Sequence, residues 1–233
     1  MLGTGAPIKH YAAHMTNESH LIEKILLEIS GKKHVIWDWN GTLLEDVEHT
    51  VNINNQLLSE HGLPPISRSS YQDRFSFPVR NYYEELGFDF QREPFENLTH
   101  RFVDLFLKEL HNLPVKPHMR QALSHLQRAG VQQSVLSAAD QESLDRMMLH
   151  YELQPYFTFV FGINNRQAGS KIGRGLELMA LSEIDAADTI MIGDTLHDLE
   201  VAEALGVEAL LIADGHQSAQ RLLASHSRVL TLL

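Results

Sequence analysis

The sequence predicts an α/β protein built on a doubly wound parallel sheet, with an α-helical domain inserted into it. Five short apolar runs alternate with amphipathic helical patterns, and a long interval after the first run carries helical patterns alone. The apolar runs are near-continuous, as expected for strands covered on both faces. Strands that alternate with helices are typical of a parallel sheet enclosed by two helical layers.

The predicted strands are short runs that end at or near a polar residue. We expect them at 34–39, 131–138, 157–163, 189–194 and 208–213. Helical patterns lie between the later strands, and one more precedes the first strand; they cover residues 17–30, 119–130, 141–153, 173–184 and 196–207. This order predicts that each later strand returns to the same sheet after a helix.

The interval after the first strand predicts a separate helical unit. Helical patterns at 47–62, 79–88 and 94–112 occupy it, and no strand pattern interrupts them. We therefore expect a core domain made of residues 1–44 and 116–233, with a helical cap domain at 45–115.

Composition and charge narrow the possible functions. The 233 residues include no Cys, which excludes disulfides, thiolate metal sites and Cys nucleophiles. The formal net charge of −11 argues against nucleic acid or an anionic membrane as the main partner, and an anionic substrate would need a local cation. Since no apolar run is long enough for a membrane span and no leader pattern is found, we expect a cytoplasmic protein. The oligomeric state stays open.

Polar residues gather where the predicted strands end. Asp38 ends the first strand, Ser137 the second and Asp194 the fourth, with Asp198 close behind; Lys171 lies in a loop after the third strand. Ligands of an open parallel sheet bind beyond the carboxyl ends of its strands, so these groups should meet at one rim.

The chemistry of these groups favours phosphoryl transfer. Carboxylates a few ångström apart repel each other unless a cation lies between them, and oxygen ligands favour Mg²⁺. A metal, a Lys, a hydroxyl and the backbone N–H groups of a Gly-containing loop can together hold a phosphoryl group. One carboxylate can then act as the nucleophile and form an aspartyl-phosphate.

Four segments occur in an order that resembles a known superfamily: DWNGTLL, VLSAAD, a Lys in a loop, and IGDTLHDLEVAEALG. The chain resembles the haloacid dehalogenase superfamily from about residue 34 to 213, and most of all its phosphoglycolate-phosphatase-like members with a helical cap. The resemblance implies a Rossmann-like core and Mg²⁺-dependent hydrolysis of a small phosphorylated metabolite.

Transferred residue by residue, the resemblance implies that Asp38 is the nucleophile. Mg²⁺ would be held by Asp38, the backbone carbonyl of Asn40 and Asp194, while Asp198 supports the metal site or Lys171. The phosphate would be bound at the Gly41–Thr42 loop, which Thr42 braces, and at Ser137, Ala138 and Lys171.

Asn40 departs from the family pattern. Phosphatases of this family usually have a second Asp here, which protonates the leaving oxygen and then activates water, and an amide can do neither. Three interpretations remain open. Either the substrate carries a good leaving group, as acyl and aryl phosphates do, or His197 or a cap residue supplies the proton. In the third interpretation, turnover is slow and the protein mainly binds a phosphorylated ligand.

Other interpretations compete for several of these residues. Residues 195–198 and 137–140 both have the spacing of a helix capping box, which would explain Asp198 and Ser137 without catalysis. Lys171 could be a solvated loop residue. The 14 histidines show no metal-ligand spacing on any one helix and are expected on the surface or in the core.

Two further alternatives concern the substrate and the reaction. Three cap arginines could either meet a substrate anion or lie on a solvated helix face: Arg74, Arg80 and Arg92. The superfamily also includes enzymes that cleave phosphonates or carbon–halogen bonds, although the GDTLHD segment favours a metal-dependent reaction over the halogen one.

Overall fold

The computed structural model describes residues 17–163 and 171–231, and shows an α/β fold around one parallel sheet. Six strands are hydrogen-bonded in the order β3-β2-β1-β4-β5-β6. They are β1 (His34–Trp37), β2 (Gln132–Asp140), β3 (Phe159–Ile163), β4 (Thr189–Gly193), β5 (Glu208–Ile212) and β6 (Val229–Leu230). Every neighbouring pair is parallel, which confirms the predicted fold class.

Helices cover both faces of the sheet. They are α1 (Asn17–Glu28), α6 (Pro117–Arg128), α7 (Gln141–His150), α8 (Lys171–Ser182), α9 (Leu196–Leu205) and α10 (Ala219–Ser225), with α2 to α5 lying between β1 and α6. Val35 and Trp37 of β1 pack into one hydrophobic cluster with α1, α6 and α7, while Ile36 packs into another with α8 and α9. Alternate residues of a strand point to opposite faces of the sheet. Because helices cover both faces, every side chain of the strand is buried, and the sequence of β1 is therefore apolar without alternation.

The structure differs from the sequence prediction mainly at short elements. β6, α10 and one cap helix, Arg68–Arg74, were not expected. Each spans at most seven residues, which is too short for a periodic pattern to be distinguished from a loop. Lys171 is also not a loop residue, because it is the first residue of α8.

The cap helices form a unit with its own apolar interior. They are α2 (Val47–Glu60), α3 (Arg68–Arg74), α4 (Val79–Leu86) and α5 (Phe95–Glu109), and their buried residues make a cluster separate from the two clusters of the sheet. The chain leaves and re-enters the core at one place, where the Glu45 N–H donates to the Pro114 carbonyl and the Lys116 N–H to the Leu43 carbonyl. Both observations support a core and a cap, and the boundaries at 44/45 and 115/116 stay a prediction.

Among residues 17–163 and 171–231, no helix combines the length and the apolar character that crossing a membrane requires.

Candidate active site

Lys171 joins two of the predicted site carboxylates at the rim of the sheet. Its Nζ lies 2.5 Å from Asp38 Oδ1 and 2.6 Å from Asp198 Oδ1. Asp38 directly follows β1 and is 7% exposed, and Lys171 is 4% exposed. A Lys so deeply buried is not a solvated surface residue, and its position depends on the two carboxylates that neutralise it.

Asp194 completes a cluster of three buried acids. Asp38, Asp194 and Asp198 each contribute one carboxylate oxygen to a group whose members all lie within 4.8 Å of one another. Asp194 Oδ1 accepts a hydrogen bond from the Thr42 hydroxyl at 2.9 Å, and its Oδ2 accepts one from the His216 N–H at 2.5 Å. Thr42 therefore braces Asp194 directly.

Asp198 accepts hydrogen bonds from Lys171, from Thr195 and from the Asp194 backbone N–H, so both of its oxygens are engaged. Oδ1 faces Lys171, while Oδ2 accepts from the Thr195 N–H at 3.0 Å and from the Thr195 hydroxyl at 2.7 Å. The predicted capping box of α9 is thus confirmed. It is not an alternative to a role at the site, because one carboxylate both caps the helix and positions Lys171.

The charges of this cluster are not balanced by its own side chains. Burial and the repulsion of Asp198 and Asp194 raise the pKa of Asp38 to about 8, against the opposing effect of Lys171. Burial also raises the pKa of Asp194, where His216 opposes it and Asp198 adds to it. Burial would raise the pKa of Asp198 as well, but Lys171 and Thr195 hold it below its usual value.

The donor set fits a hard divalent cation. Three buried carboxylates with one bound ammonium leave excess negative charge in a small volume, and hard oxygen ligands are those that Mg²⁺ prefers. A cation beside Asp38 and Asp194 would remove the repulsion that raises their pKa values. The residues present therefore fit a magnesium ion.

Ser137 lies on the cavity wall next to this cluster, but it is not a helix cap. The structure shows that β2 continues to Asp140, and Asp140 caps α7 by accepting from the Ser143 N–H at 3.0 Å. The alternative interpretation of Ser137 as a helix N-cap is therefore wrong, because the N-cap residue of α7 lies three residues later, at Asp140. Ser137 Oγ accepts from the Ala139 N–H at 3.0 Å, so its own proton can be donated into the cavity that Ser137 and Ala138 line.

Gly41 lies in a position that no other residue would fit. Its φ is 72°, and a Cβ would come within 2.4 Å of Asp194 Oδ2 and 2.6 Å of His216 Cδ2. Its N–H donates to Asp46 Oδ1 at 2.7 Å, so this arrangement gives no support to the expected bond from Gly41 to a phosphate. The residue is needed for the close approach of the loop to Asp194.

The sequence analysis missed a buried group of side chains around Asn40. The Asn40 amide donates to Asp46 Oδ2 at 2.7 Å, and His216 Nε2 lies 3.3 Å from Asp46 Oδ1. Burial alone would lower the pKa of His216, but Asp46, with Asp194 and Asp38, raises it to about 9. The hydroxyl of Tyr71, a residue of the cap, forms a hydrogen bond with His216 Nδ1 at 2.8 Å. His216 follows β5, so extending the strand-end argument to the fifth strand would have found it.

Lys116 is a second buried cation that the sequence analysis missed. Its Nζ donates to the Gly41 carbonyl at 2.8 Å, and to the carbonyl and carboxylate of Asp214 at 2.5 and 3.0 Å. It lies where the chain returns from the cap, and it fixes the loop after β1 against the loop after β5. Lys116 therefore supports the shape of the site rather than its chemistry.

A cavity of about 1140 Å³ lies between this rim and the cap. His197 lines it, with its Nδ1 3.0 Å from Glu200 Oε2 and its ring stacked on Phe77 at 4.6 Å. None of the three cap arginines that could have met a substrate anion lines it. Arg74 binds Glu85, Arg80 packs over Phe90, and Arg92 is exposed, as the solvated-face interpretation requires.

The cap is fastened to the core by hydrogen bonds that we call the cap–core latch, formed by Gln72, Phe75, Gln217 and Arg221. The Phe75 carbonyl accepts from Arg221 Nη1 at 2.5 Å and from Gln217 Nε2 at 3.0 Å. The Gln72 side chain donates to the Gly215 carbonyl at 2.7 Å. The latch places the cap helices over the loop that carries His216.

Comparison with known proteins gives a consistent family. A family model described as haloacid dehalogenase-like hydrolase matches residues 35–212. The phosphoglycolate phosphatase of Caulobacter vibrioides is 24% identical over 188 residues, which cover 78% of this chain and 79% of that protein. A probable phosphatase, IndB, of Dickeya dadantii is 25% identical over 207 residues, with 85% and 89% covered.

Solved structures share the fold at low sequence identity. A haloacid dehalogenase-like family hydrolase from Streptococcus pneumoniae superposes with a TM-score of 0.74 at 16% identity, covering 87% of this chain and 94% of that one. A predicted phosphatase from Clostridium acetobutylicum superposes with a TM-score of 0.71 at 20% identity and the same coverage.

Proposed function

The chain belongs to the haloacid dehalogenase-like hydrolase family, and we propose that it hydrolyses a small phosphate monoester through an aspartyl-phosphate formed on Asp38, with Mg²⁺ as its cofactor. The observation that carries the proposal is the position of Lys171 between Asp38 and Asp198, beside Asp194 and at the floor of a large cavity. The names of the curated relatives agree with phosphate ester hydrolysis.

The residues that would hold the metal are Asp38, Asp194 and the backbone carbonyl of Asn40. When bound, Mg²⁺ supplies positive charge that offsets the carboxylates and the phosphoryl oxygens. Thr42 and the His216 N–H orient Asp194 for this role, since they fix both of its oxygens. Asp198 acts beside the metal by holding Lys171.

In the first step, Asp38 attacks phosphorus. Lys171 holds Oδ1, so Oδ2 is the attacking atom in this proposal. A bond forms between Oδ2 and phosphorus while the ester P–O bond breaks, and the leaving oxygen keeps the electron pair. Lys171 and the Ser137 hydroxyl donate hydrogen bonds to the phosphoryl oxygens, where charge accumulates.

In the second step, water attacks the phosphorus of the aspartyl-phosphate. The P–O bond to Asp38 breaks, which releases inorganic phosphate and restores the carboxylate. The proton that the water loses balances the proton that the departed alcohol gains. Asn40 takes no part in these transfers, because its amide donates to Asp46 and acts as neither an acid nor a base at ordinary pH.

Asn40 is also the observation that favours a second candidate, a protein that binds a phosphorylated ligand and turns it over slowly. General acid–base catalysis contributes roughly 10²–10⁴-fold, so its loss would slow esters with poor leaving groups by about that factor. Phosphonate and carbon–halogen cleavage receive no such support.

The phosphatase proposal also includes a small phosphorylated metabolite as the partner and a cytoplasmic location.

Phosphate release from a set of phosphate monoesters, measured with Mg²⁺ and with excess chelator, tests the proposal. We expect release with Mg²⁺, loss of release with chelator, and recovery when Mg²⁺ is restored. Beryllofluoride, which mimics a phosphoryl group, should bind at Asp38. Release that persists in excess chelator would contradict the metal assignment, and binding without release would favour the second candidate.

A further inference from the structure

The wall of the cavity that faces the rim is apolar and largely aromatic. One side of α5 lines it with Phe102, Val103, Phe106 and Leu107, and the segment between α3 and α4 adds Phe75 and Phe77. The side chains of Val103 and Leu107 are 45% and 37% exposed, because they face this cavity and not a packed core. Apolar side chains left accessible inside a cavity gain free energy when a ligand covers them.

The same wall offers no Lys or Arg to a substrate, although the imidazoles of His100 and His197 also line the cavity. Among residues 17–163 and 171–231, the cap contributes no Lys or Arg to the cavity lining, and its formally charged lining side chain beyond the rim is Asp104 of α5. Lys171 is bound to Asp38 and Asp198, and the His216 ring is paired with Asp46. A carboxylate on the substrate would therefore lose water and meet an acid, which is unfavourable.

The size of the cavity also argues against a small hydroxy-acid ester. A cavity of about 1140 Å³ is somewhat larger than the range of roughly 300–1,000 Å³ that holds drug-sized ligands. An ester as small as phosphoglycolate would leave most of the apolar wall uncovered, whereas a fused aromatic group would contact it.

Asn40 points to the same kind of leaving group for a separate, chemical reason. Its amide is held by Asp46 and cannot protonate the departing oxygen. An alkoxide resembles hydroxide, whose parent water ionises only far above neutral pH, and it therefore needs that proton. A phenol ionises near a pKa of about 10, as the Tyr side chain does, so it can depart as an anion.

We infer that the substrate is an aryl phosphate, the phosphate monoester of an uncharged phenol larger than a single ring. This inference rests on the proposed function, because it concerns the group that leaves when Asp38 attacks. The phosphate lies at the rim, the aromatic group lies against α5 and Phe77, and no carboxylate is carried by the leaving group.

A matched set of esters tests the inference: naphthyl phosphate, phenyl phosphate, carboxyphenyl phosphate and phosphoglycolate. Naphthol and phenol ionise at similar pH, so a difference between the first two esters reports contact with the cavity wall. We expect kcat/KM for naphthyl phosphate to exceed that for phenyl phosphate by about tenfold. We expect carboxyphenyl phosphate to be slower than phenyl phosphate, and phosphoglycolate to be the slowest.

Two variants locate the preference on the cap. Leu107→Ser should lower the naphthyl-to-phenyl ratio several-fold, whereas Leu181→Ser, at a 53% exposed leucine outside the cavity lining, should keep the wild-type ratio. Val103→Arg should raise the rate on carboxyphenyl phosphate relative to phenyl phosphate, because it adds the missing cation. If Leu107→Ser and Leu181→Ser give equal ratios, the cap wall does not select the substrate and the inference is wrong.

The outcomes separate this inference from the function on which it rests. Faster hydrolysis of phosphoglycolate than of either uncharged aryl ester would overturn the inference and leave the phosphatase proposal standing. If no ester is hydrolysed, the phosphatase proposal falls, and calorimetric binding decides the ligand class. Tighter binding of naphthyl phosphonate than of phosphonoacetate would then still support an aryl ligand, and the opposite order, or no binding, would overturn it.

Discussion

The two walls of the cavity are built on different principles. The rim wall consists of charged and polar groups that hold each other in place. Lys171 binds both Asp38 and Asp198. Thr42 and the His216 N–H donate to Asp194, and Asp46 accepts from the Asn40 amide. The cap wall consists mainly of apolar side chains, which pack without hydrogen bonds. The difference indicates that the rim determines the reaction and the cap determines which molecule undergoes it.

The physical reason is the cost of burying charge. A buried ionised group needs partners at defined distances, so each side chain of the rim is fixed by the others and tolerates little change. Apolar contact is non-directional and scales with area, so the cap wall can be altered with graded effects. The predictions below test this difference, from the largest expected effect to the smallest.

Asp38→Asn should lower turnover by about 10⁴-fold or more, as loss of a nucleophile does in other enzymes. The fold should persist, because removing one of three clustered acids relieves repulsion. Steady-state phosphate release, with circular dichroism as a check on folding, measures both effects. The matched control is Asp104→Asn on the cap wall, which should change turnover by less than about threefold. Equal losses in the two variants would mean that the walls do not differ as described.

Exchanging the polar groups at Asn40 and Asp46 should restore proton transfer. Asn40→Asp alone would place a second carboxylate against the buried Asp46, where a 2.7 Å hydrogen bond now lies, so we expect it to destabilise the protein. The double variant with Asp46→Asn keeps the net charge and reverses the donor and acceptor. Its rate on alkyl phosphates should rise, with a ceiling of roughly 10²–10⁴-fold, and its rate on aryl phosphates should change little.

A control is needed for this exchange because Asn40 precedes Gly41, and Asn-Gly sequences deamidate easily. Mass spectrometry of the peptide that contains residues 38–42 would detect the product. A lower rate of the double variant on every ester would show that the amide itself has a function at the rim.

Asp194→Asn should weaken Mg²⁺ binding more than Asp198→Asn does. Asp194 is proposed to contact the metal, so its substitution should lower the affinity for Mg²⁺ by about 100-fold or more. Asp198 holds Lys171, so its substitution should lower that affinity by about tenfold. Titration calorimetry with Mg²⁺ compares the two variants without relying on turnover. Equal losses of affinity would mean that both residues are direct ligands.

Loosening the cap–core latch should have the smallest effect. Arg221→Met removes the hydrogen bonds to the Phe75 and Gln72 carbonyls, so KM for naphthyl phosphate should rise by about threefold to tenfold with little change in kcat. The matched control is Arg120→Met, which removes a bond of the same kind, from Arg120 to the Tyr151 carbonyl. A fall in kcat without a rise in KM would show that the cap also positions the reacting groups.

Much of this arrangement follows from the sequence itself. The apolar runs predicted the parallel sheet, because a strand covered on both faces must be apolar throughout. The ends of those runs predicted that Asp38, Asp194 and Lys171 would meet, because parallel strands end at one rim. The long helical interval predicted a cap, and the motif order gave the family. All of these features depend on neighbours in the chain or on the common direction of the strands.

The remaining features depend on contacts between distant segments, which only the tertiary structure decided. Asp46, His216 and Tyr71 come from the loop after β1, the loop after β5 and a cap helix, and no spacing in the chain shows that they meet. Asp198 proved to be a helix cap and a partner of Lys171 at once. The aromatic cap wall had the sequence of an ordinary amphipathic helix, because periodicity shows which side of a helix is apolar but not whether that side faces a core or a cavity.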